Sequence, residues 1–240
     1  MNGTEETAPT QPQHAAAENP NFVPALVVID MQNDFVSGSL AVPGGETIID
    51  SINCLIDLPF RLRIATRDFH PDNHVSFADT QKNALFSKVM IYHPDDKEQL
   101  FGIEQVMWPV HCVGYTDGSD FVPKLNSKVF DAVIHKGTHP DIESYSAFRD
   151  IWGKSETDLP RLLKEKEVTD VFFVGLAGDY CVKYTAIDAA EYGYNTWVVT
   201  DAIKSIAEDE TVHFDQMQKK GIKFTTAVDV KTMVQRRPVY

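Results

Sequence analysis

Two stretches of this chain, Pro24 to Ile29 (Pro-Ala-Leu-Val-Val-Ile) and Val171 to Leu176 (Val-Phe-Phe-Val-Gly-Leu), carry no polar side chain at all. A strand with one wet face alternates apolar and polar residues. An unbroken apolar run is buried on both faces, as in a parallel sheet covered by helices above and below. Four further strands fit the same rhythm: Arg61 to Thr66, Lys128 to His135, Thr196 to Thr200 and Ile222 to Thr226. Helical patterns lie between them, over Glu46 to Asp57, Thr157 to Glu167 (with Pro160 in its first turn), Asp179 to Tyr192 and Glu208 to Lys220, where Gly221 supplies a C-cap. Strands alternating with helices predict an α/β fold: a three-layer α/β/α sandwich, Rossmann-like, around a six-stranded, mostly parallel sheet. The segment from about 69 to 126 breaks the alternation. It holds His70, His74, His93 and His111 and reads as an insertion over one sheet edge; long insertions of this kind tend to carry function.

Residues 1–22 differ in kind, being Thr, Gln, Glu, Asn, Pro and Ala with almost no large apolar side chain. Such a composition cannot offset its chain entropy by burial, so a disordered tail is expected there, ahead of one domain over residues 23–240. The tail shows neither signal-peptide nor transit-peptide character, and no apolar run is long enough to span a bilayer. A net charge of −13 with no basic stripe argues against nucleic acid as a partner. Cys54, Cys112 and Cys181 form no CxxC spacing and suggest free thiols in a reducing compartment, the cytoplasm or the nucleus. The subunit number is left open, with a homo-oligomer allowed.

In open α/β sheets ligands bind beyond the C-terminal ends of the strands. Those ends carry Asp30, Asp68-Phe69-His70, Lys136, the loop to Cys181, and Asp201. Asp30, Lys136 and Cys181 make a workable constellation. The carboxylate can take a thiol proton and return it to a leaving amine, and the ammonium can hold the thiolate by charge. Cys181 follows a buried strand and opens a helix, where backbone N–H groups favour an anion, so its thiol is expected to lose its proton readily. Asp68 and His70 stand two apart on an extended segment and point the same way. With His111 they offer one carboxylate and two imidazoles, a set suited to one divalent metal ion, Zn²⁺ first and Fe²⁺ or Mn²⁺ next. His74, His93 and Cys112 compete for these positions.

Six motifs occur in order: Asp30-Met31-Gln32-Asn33-Asp34-Phe35, Thr66-Arg67-Asp68-Phe69-His70-Pro71, Trp108-Pro109-Val110-His111-Cys112, Lys136-Gly137, Tyr145-Ser146-Ala147-Phe148 and Gly175-Leu176-Ala177-Gly178-Asp179-Tyr180-Cys181-Val182. Together they resemble the nicotinamidase (pyrazinamidase) branch of the isochorismatase-like cysteine hydrolases, from about Val23 to Asp229. The resemblance implies a catalytic triad of Asp30, Lys136 and Cys181, and a metal held by Asp68, His70 and His111. It also implies a cis peptide between Leu176 and Ala177 and an oxyanion hole built from the N–H groups of Ala177 and Cys181. Phe35 and Trp108, with Tyr145 nearby, would wall a pyridine ring whose nitrogen meets the metal. The implied activity is hydrolysis of nicotinamide to nicotinate and ammonia through a cysteine thioester, in NAD salvage, with pyrazinamide also accepted. Isochorismatase chemistry itself would leave the three metal ligands without a purpose. The main rival is a related cysteine amidase acting on carbamoyl or ureido compounds. Two others are a metal-hydroxide hydrolase in which Cys181 is structural and a non-catalytic binding protein.

Overall fold

The computed structural model of the protein describes residues 21–235. In chain order its elements are β1 (Pro24–Ile29), α1 (Asn33–Val36), α2 (Ile49–Ile56), β2 (Leu62–Asp68), α3 (Ala78–Gln81), β3 (Lys88–Tyr92), β4 (Gly102–Val106), β5 (Ala132–Lys136), α4 (Leu159–Glu165), β6 (Asp170–Leu176), α5 (Lys183–Glu191), β7 (Asn195–Lys204), α6 (Thr211–Lys219), β8 (Lys223–Thr225) and α7 (Ala227–Gln235). The main sheet has six strands in the order β5-β2-β1-β6-β7-β8, and every pairing in it is parallel.

The two unbroken apolar runs, β1 and β6, lie side by side in the middle of this sheet. Their side chains alternate between two cores. Ala25, Val27 and Ile29 pack with Leu159 and Leu163 of α4, Ala186 and Ala189 of α5 and Met217 of α6. Leu26 and Val28 face the other way, toward Ile52, Leu55 and Ile56 of α2 and Val230 and Val234 of α7. Helices on both faces remove both surfaces of these strands from water, which is why neither strand needs a polar face. The order of strands reverses between β1 and β6, so a crevice opens there beyond their C-terminal ends.

Several boundaries differ from the sequence expectation, each for a local reason. The tail expected over residues 1–22 lies outside the described residues except for its last two. Of these, Asn21 accepts a bond from the Thr169 hydroxyl and Phe22 packs edge-on against Phe172, so both belong to the fold. The third expected strand starts at Ala132 rather than Lys128, because Ser127–Val129 forms a 3-10 turn. The Asp131 carboxylate then takes the Arg63 N–H at 2.7 Å as the chain enters the sheet edge. β7 runs on to Lys204, leaving Asp201 exposed within it, where its carboxylate accepts the N–H of Ala227 at the start of α7. Asp201 therefore caps a helix away from the crevice. Segment 69–126 carries α3 and an antiparallel hairpin of β3 and β4, and it delivers His70, Trp108 and His111 to the crevice. Among the described residues, no helix is long and apolar enough to cross a membrane.

Candidate active site

Asp30 follows β1 in left-handed backbone (φ 46°), and its side chain is completely buried. The Thr66 hydroxyl donates to its Oδ1 at 2.5 Å, and its Oδ2 faces Lys136 Nζ at 2.9 Å. Lys136 ends the edge strand β5 yet is itself buried, enclosed by Asp30, Asp68, Cys181 and the Ser144 carbonyl. Its ammonium also contacts Asp68 Oδ1 and lies 3.2 Å from Cys181 Sγ. One cation at the end of β5 thus touches two carboxylates and a thiol from three other strand ends, those of β1, β2 and β6.

The electrostatics follow from this geometry. Burial pushes the Asp30 carboxyl up despite Lys136, and Asp68 adds to the push. Burial also works against a charged Asp68, but Lys136, His70 and His111 together hold its carboxyl far below the usual range. Lys136 loses solvation and still stays charged, since Asp30 and Asp68 raise it well above an ordinary lysine. For Cys181 the outcome differs from the sequence expectation. Its loop is one wide turn, Gly178–Val182, ahead of α5, and the sulfur is buried. Burial, with Asp30 and Asp68, raises the thiol well above its ordinary value in spite of Lys136. The sulfur therefore rests protonated beside a carboxylate whose own proton affinity is raised, an arrangement suited to passing a proton from one to the other.

Asp68, His70 and His111 come together, with their ligating atoms all within 4.8 Å of one another. His70 Nε2 lies 3.5 Å and His111 Nε2 3.9 Å from Asp68 Oδ2. The Nδ1 atoms bond to the carbonyls of Gly137 and Pro109, each at 2.8 Å. A carbonyl can only accept, so each Nδ1 carries a proton, and Nε2 is the ring nitrogen left facing the carboxylate. This second hydrogen bond on the ring is the usual support of a metal-bound histidine, so the donors fit a divalent ion. Gly137 is required beneath His70: its φ is +62°, and a Cβ there would lie 2.4 Å from the imidazole. The competitors are occupied elsewhere. Both nitrogens of His74 are used, by Ser76 and Ile142, His93 bonds to Asp95 and Lys154, and the Cys112 sulfur faces the Gly118 carbonyl.

Phe35, Trp108 and Tyr145 line a small pocket with Asp68, His70, His111, Ala177 and Cys181. Phe35 lies against the His111 ring, with centroids 5.4 Å apart. The Leu176–Ala177 peptide is cis. The pocket contains four residues not singled out from the sequence: Leu40, Glu143, Tyr180 and Ile206. Tyr180 sits inside the cysteine motif and meets Trp108 edge-on at 4.9 Å, so its place was legible from spacing. Glu143 lies in the irregular stretch after Gly137, where no pattern marks it.

The Isochorismatase domain family matches residues 24–229. The chain belongs to that family. The nicotinamidase of Saccharomyces cerevisiae is 42% identical over 199 residues, which is 78% of this chain and 90% of the yeast one. The structure of the yeast nicotinamidase bound to the inhibitor nicotinaldehyde superposes with a TM-score of 0.80 at 36% identity, covering 85% of this chain and 99% of the other. The pyrazinamidase of Pyrococcus horikoshii in complex with zinc gives a TM-score of 0.66 at 36% identity, with 85% and 99% covered.

Within this isochorismatase-family pocket the Tyr145 hydroxyl accepts from Trp108 Nε1 at 3.0 Å and from Gln105 Nε2 at 2.7 Å. Tyr145→Phe removes the acceptor of Trp108 Nε1, whereas Gln105 Nε2 keeps the Val106 carbonyl and the Glu143 carboxylate. The expected cost is about 1–3 kcal/mol of unfolding free energy, read from urea titration of the two proteins. An unchanged midpoint would show that Trp108 Nε1 finds another acceptor.

Proposed function

We propose that this protein is a nicotinamidase, hydrolysing nicotinamide to nicotinate and ammonia through a thioester on Cys181. One observation carries the reading. Cys181 Sγ, with Lys136 and the buried Asp30 beside it, opens into a pocket that has aromatic walls and three convergent metal-ligand side chains. An aromatic amide fits such a pocket better than an open-chain carbamoyl compound does.

Asp30 takes the Cys181 proton, and the sulfur forms a bond to the amide carbon. The N–H groups of Ala177 and Cys181 hold the oxygen that becomes negative. Asp30 then gives the proton to the amide nitrogen, the C–N bond breaks and ammonia leaves. A water, deprotonated by Asp30, attacks the thioester. The C–S bond breaks, nicotinate is released and the proton returns to sulfur. Lys136 keeps the carboxylates and the sulfur electrostatically balanced through both halves. Asp68, His70 and His111 would hold one divalent ion, zinc by the donor set, which supplies a Lewis-acid anchor for the pyridine nitrogen. Phe35, Trp108 and Tyr145 flank the ring. Pyrazinamide keeps both the ring nitrogen and the carboxamide, so it is a second substrate. Free Cys54, Cys112 and Cys181 suit a reducing cytoplasmic setting for such an enzyme.

The deciding experiment is ammonia release from nicotinamide, pyrazinamide and an N-carbamoyl amino acid by the zinc-loaded protein. Release from the first two supports the reading. Release from the carbamoyl compound alone overturns it. Stripping with a chelator should remove most nicotinamide turnover, and added zinc should restore it; turnover unaffected by stripping would remove the ion from the proposal.

A further inference from the structure

The six residues from Asp30 to Phe35 contain more than a base and an aromatic wall. Gln32 is completely buried and uses its whole amide. Its Nε2 donates to the Asp68 carbonyl and to the Ser119 carbonyl, each at 2.8 Å, and its Oε1 accepts the Asp68 N–H at 2.9 Å. The side chain thus grips both backbone groups of one metal-ligand residue, as a neighbouring strand would. It does so where β2 ends and its other neighbour has no strand left to offer.

Asp34, on α1, performs a parallel task for the histidine that arrives from the insertion. Its Oδ2 accepts the N–H of Cys112 at 2.7 Å, and this N–H belongs to the peptide that follows His111. Cys112 is in left-handed backbone (φ 47°), so that peptide has to be turned and held. The space around the carboxylate is reserved for it. A Cβ on Gly118 would come within 2.1 Å of Oδ2, and one on Gly38 within 2.3 Å of Oδ1. The anchored segment in turn pairs with the remaining ligand: the His70 N–H donates to the Cys112 carbonyl at 3.1 Å, and the Gly114 N–H donates to the His70 carbonyl at 2.8 Å.

We infer that Gln32 and Asp34 are positioning residues which assemble Asp68, His70 and His111, brought from separate segments, into one metal site, so that they set its affinity for the ion. The inference rests on the metal-site reading above. Neither side chain touches the ion position. Each acts through the backbone of a ligand, and outer supports of this sort are worth roughly 10–100-fold in metal affinity.

The test measures zinc affinity by competition with a chromophoric chelator, on wild type, Gln32→Met, Asp34→Ala and Asp34→Asn, with the circular dichroism of each apoprotein as a fold check. Gln32→Met keeps the length and loses every bond. Asp34→Asn keeps a carbonyl able to accept the Cys112 N–H, whereas Asp34→Ala does not. Gln32→Met and Asp34→Ala should bind zinc roughly 10–100-fold more weakly, Asp34→Asn should stay within about threefold of wild type, and saturating zinc should restore most of kcat in all three. Wild-type affinity in folded Gln32→Met and Asp34→Ala overturns the inference. So does a kcat that saturating zinc fails to raise in a variant whose zinc affinity is normal. If Gln32→Met does not fold, the pair of Asp34 variants decides the question. Wild type that binds no zinc, or binds it equally well as Asp68→Ala, would instead overturn the metal-site reading.

Discussion

Cys181→Ala is expected to lower kcat for nicotinamide by roughly 10⁴-fold or more while leaving the fold intact, because the residue that forms and breaks the covalent bond is gone. The cavity left by one sulfur is small, and its neighbours, Asp30, Lys136 and Asp68, already satisfy each other through the Lys136 ammonium. Wild type quenched in acid during turnover should carry an acyl adduct on the peptide containing Cys181, and the variant should carry none. Turnover in Cys181→Ala within about tenfold of wild type would sink the thioester mechanism and favour a hydrolase in which the sulfur only packs. The resting state sharpens this expectation. The thiol is raised by burial, so nucleophilicity depends on Asp30 accepting the proton when substrate arrives. Asp30→Asn should therefore be nearly as damaging as loss of the sulfur.

Lys136→Met should damage both stability and activity, more than any other single substitution of a residue that stays clear of the covalent chemistry. The ammonium is buried and faces Asp30 Oδ2 at 2.9 Å, Asp68 and the Cys181 sulfur at 3.2 Å. Removing it leaves two buried carboxylates without their common counter-ion, a change worth about 3–5 kcal/mol of unfolding free energy in comparable cases. The sign of the pH effect follows. Without Lys136 the folded-state pKa of at least one carboxylate rises above its unfolded value, so the folded state binds more protons than the unfolded chain. Stability then falls as pH rises, and the deficit relative to wild type should be smaller near about pH 5 than near about pH 8. Turnover should drop by roughly 10²–10³-fold, since a fixed charge beside the reacting sulfur is lost. Urea titrations at the two pH values, with kcat measured where the variant is folded, check both parts. A variant as stable as wild type at both pH values would show that Lys136 is not the counter-ion of the pair.

Much of this arrangement was legible in the chain because the physics that shapes it is local. The runs Pro24–Ile29 and Val171–Leu176 lack polar atoms, so only a strand buried on both faces suits them, and they form the two middle strands of the sheet. The polar residues at the C-terminal ends of parallel strands lie at one end of the sheet, which placed Asp30, Asp68, Lys136 and Cys181 together. Asp201 looked equivalent by the same argument and is not, because β7 runs past it and α7 takes its carboxylate as a cap. Nothing within a few residues of Asp201 marks that difference.

The tertiary structure decided matters that depend on distant partners. Four histidines lie in segment 69–126, and residue type alone did not separate candidate ligands from packing residues. His74 has both nitrogens satisfied, whereas His70 and His111 have one nitrogen tied to a carbonyl and the other turned to Asp68. The thiol of Cys181 was expected to be acidic from its place before a helix, and burial with two carboxylates reverses that. Glu143 and the grip of Gln32 on Asp68 had no sequence signal, since each depends on which backbone passes by. By itself the sequence determined the layers, the strand ends and the residue types that stand at them, because burial and backbone propensity act over a few residues. Which of those residues carry a proton, turn a ring nitrogen inward or hold another in place was decided only when segments far apart in the chain shared one low-dielectric crevice, where charge and hydrogen bonding depend on every neighbour at once.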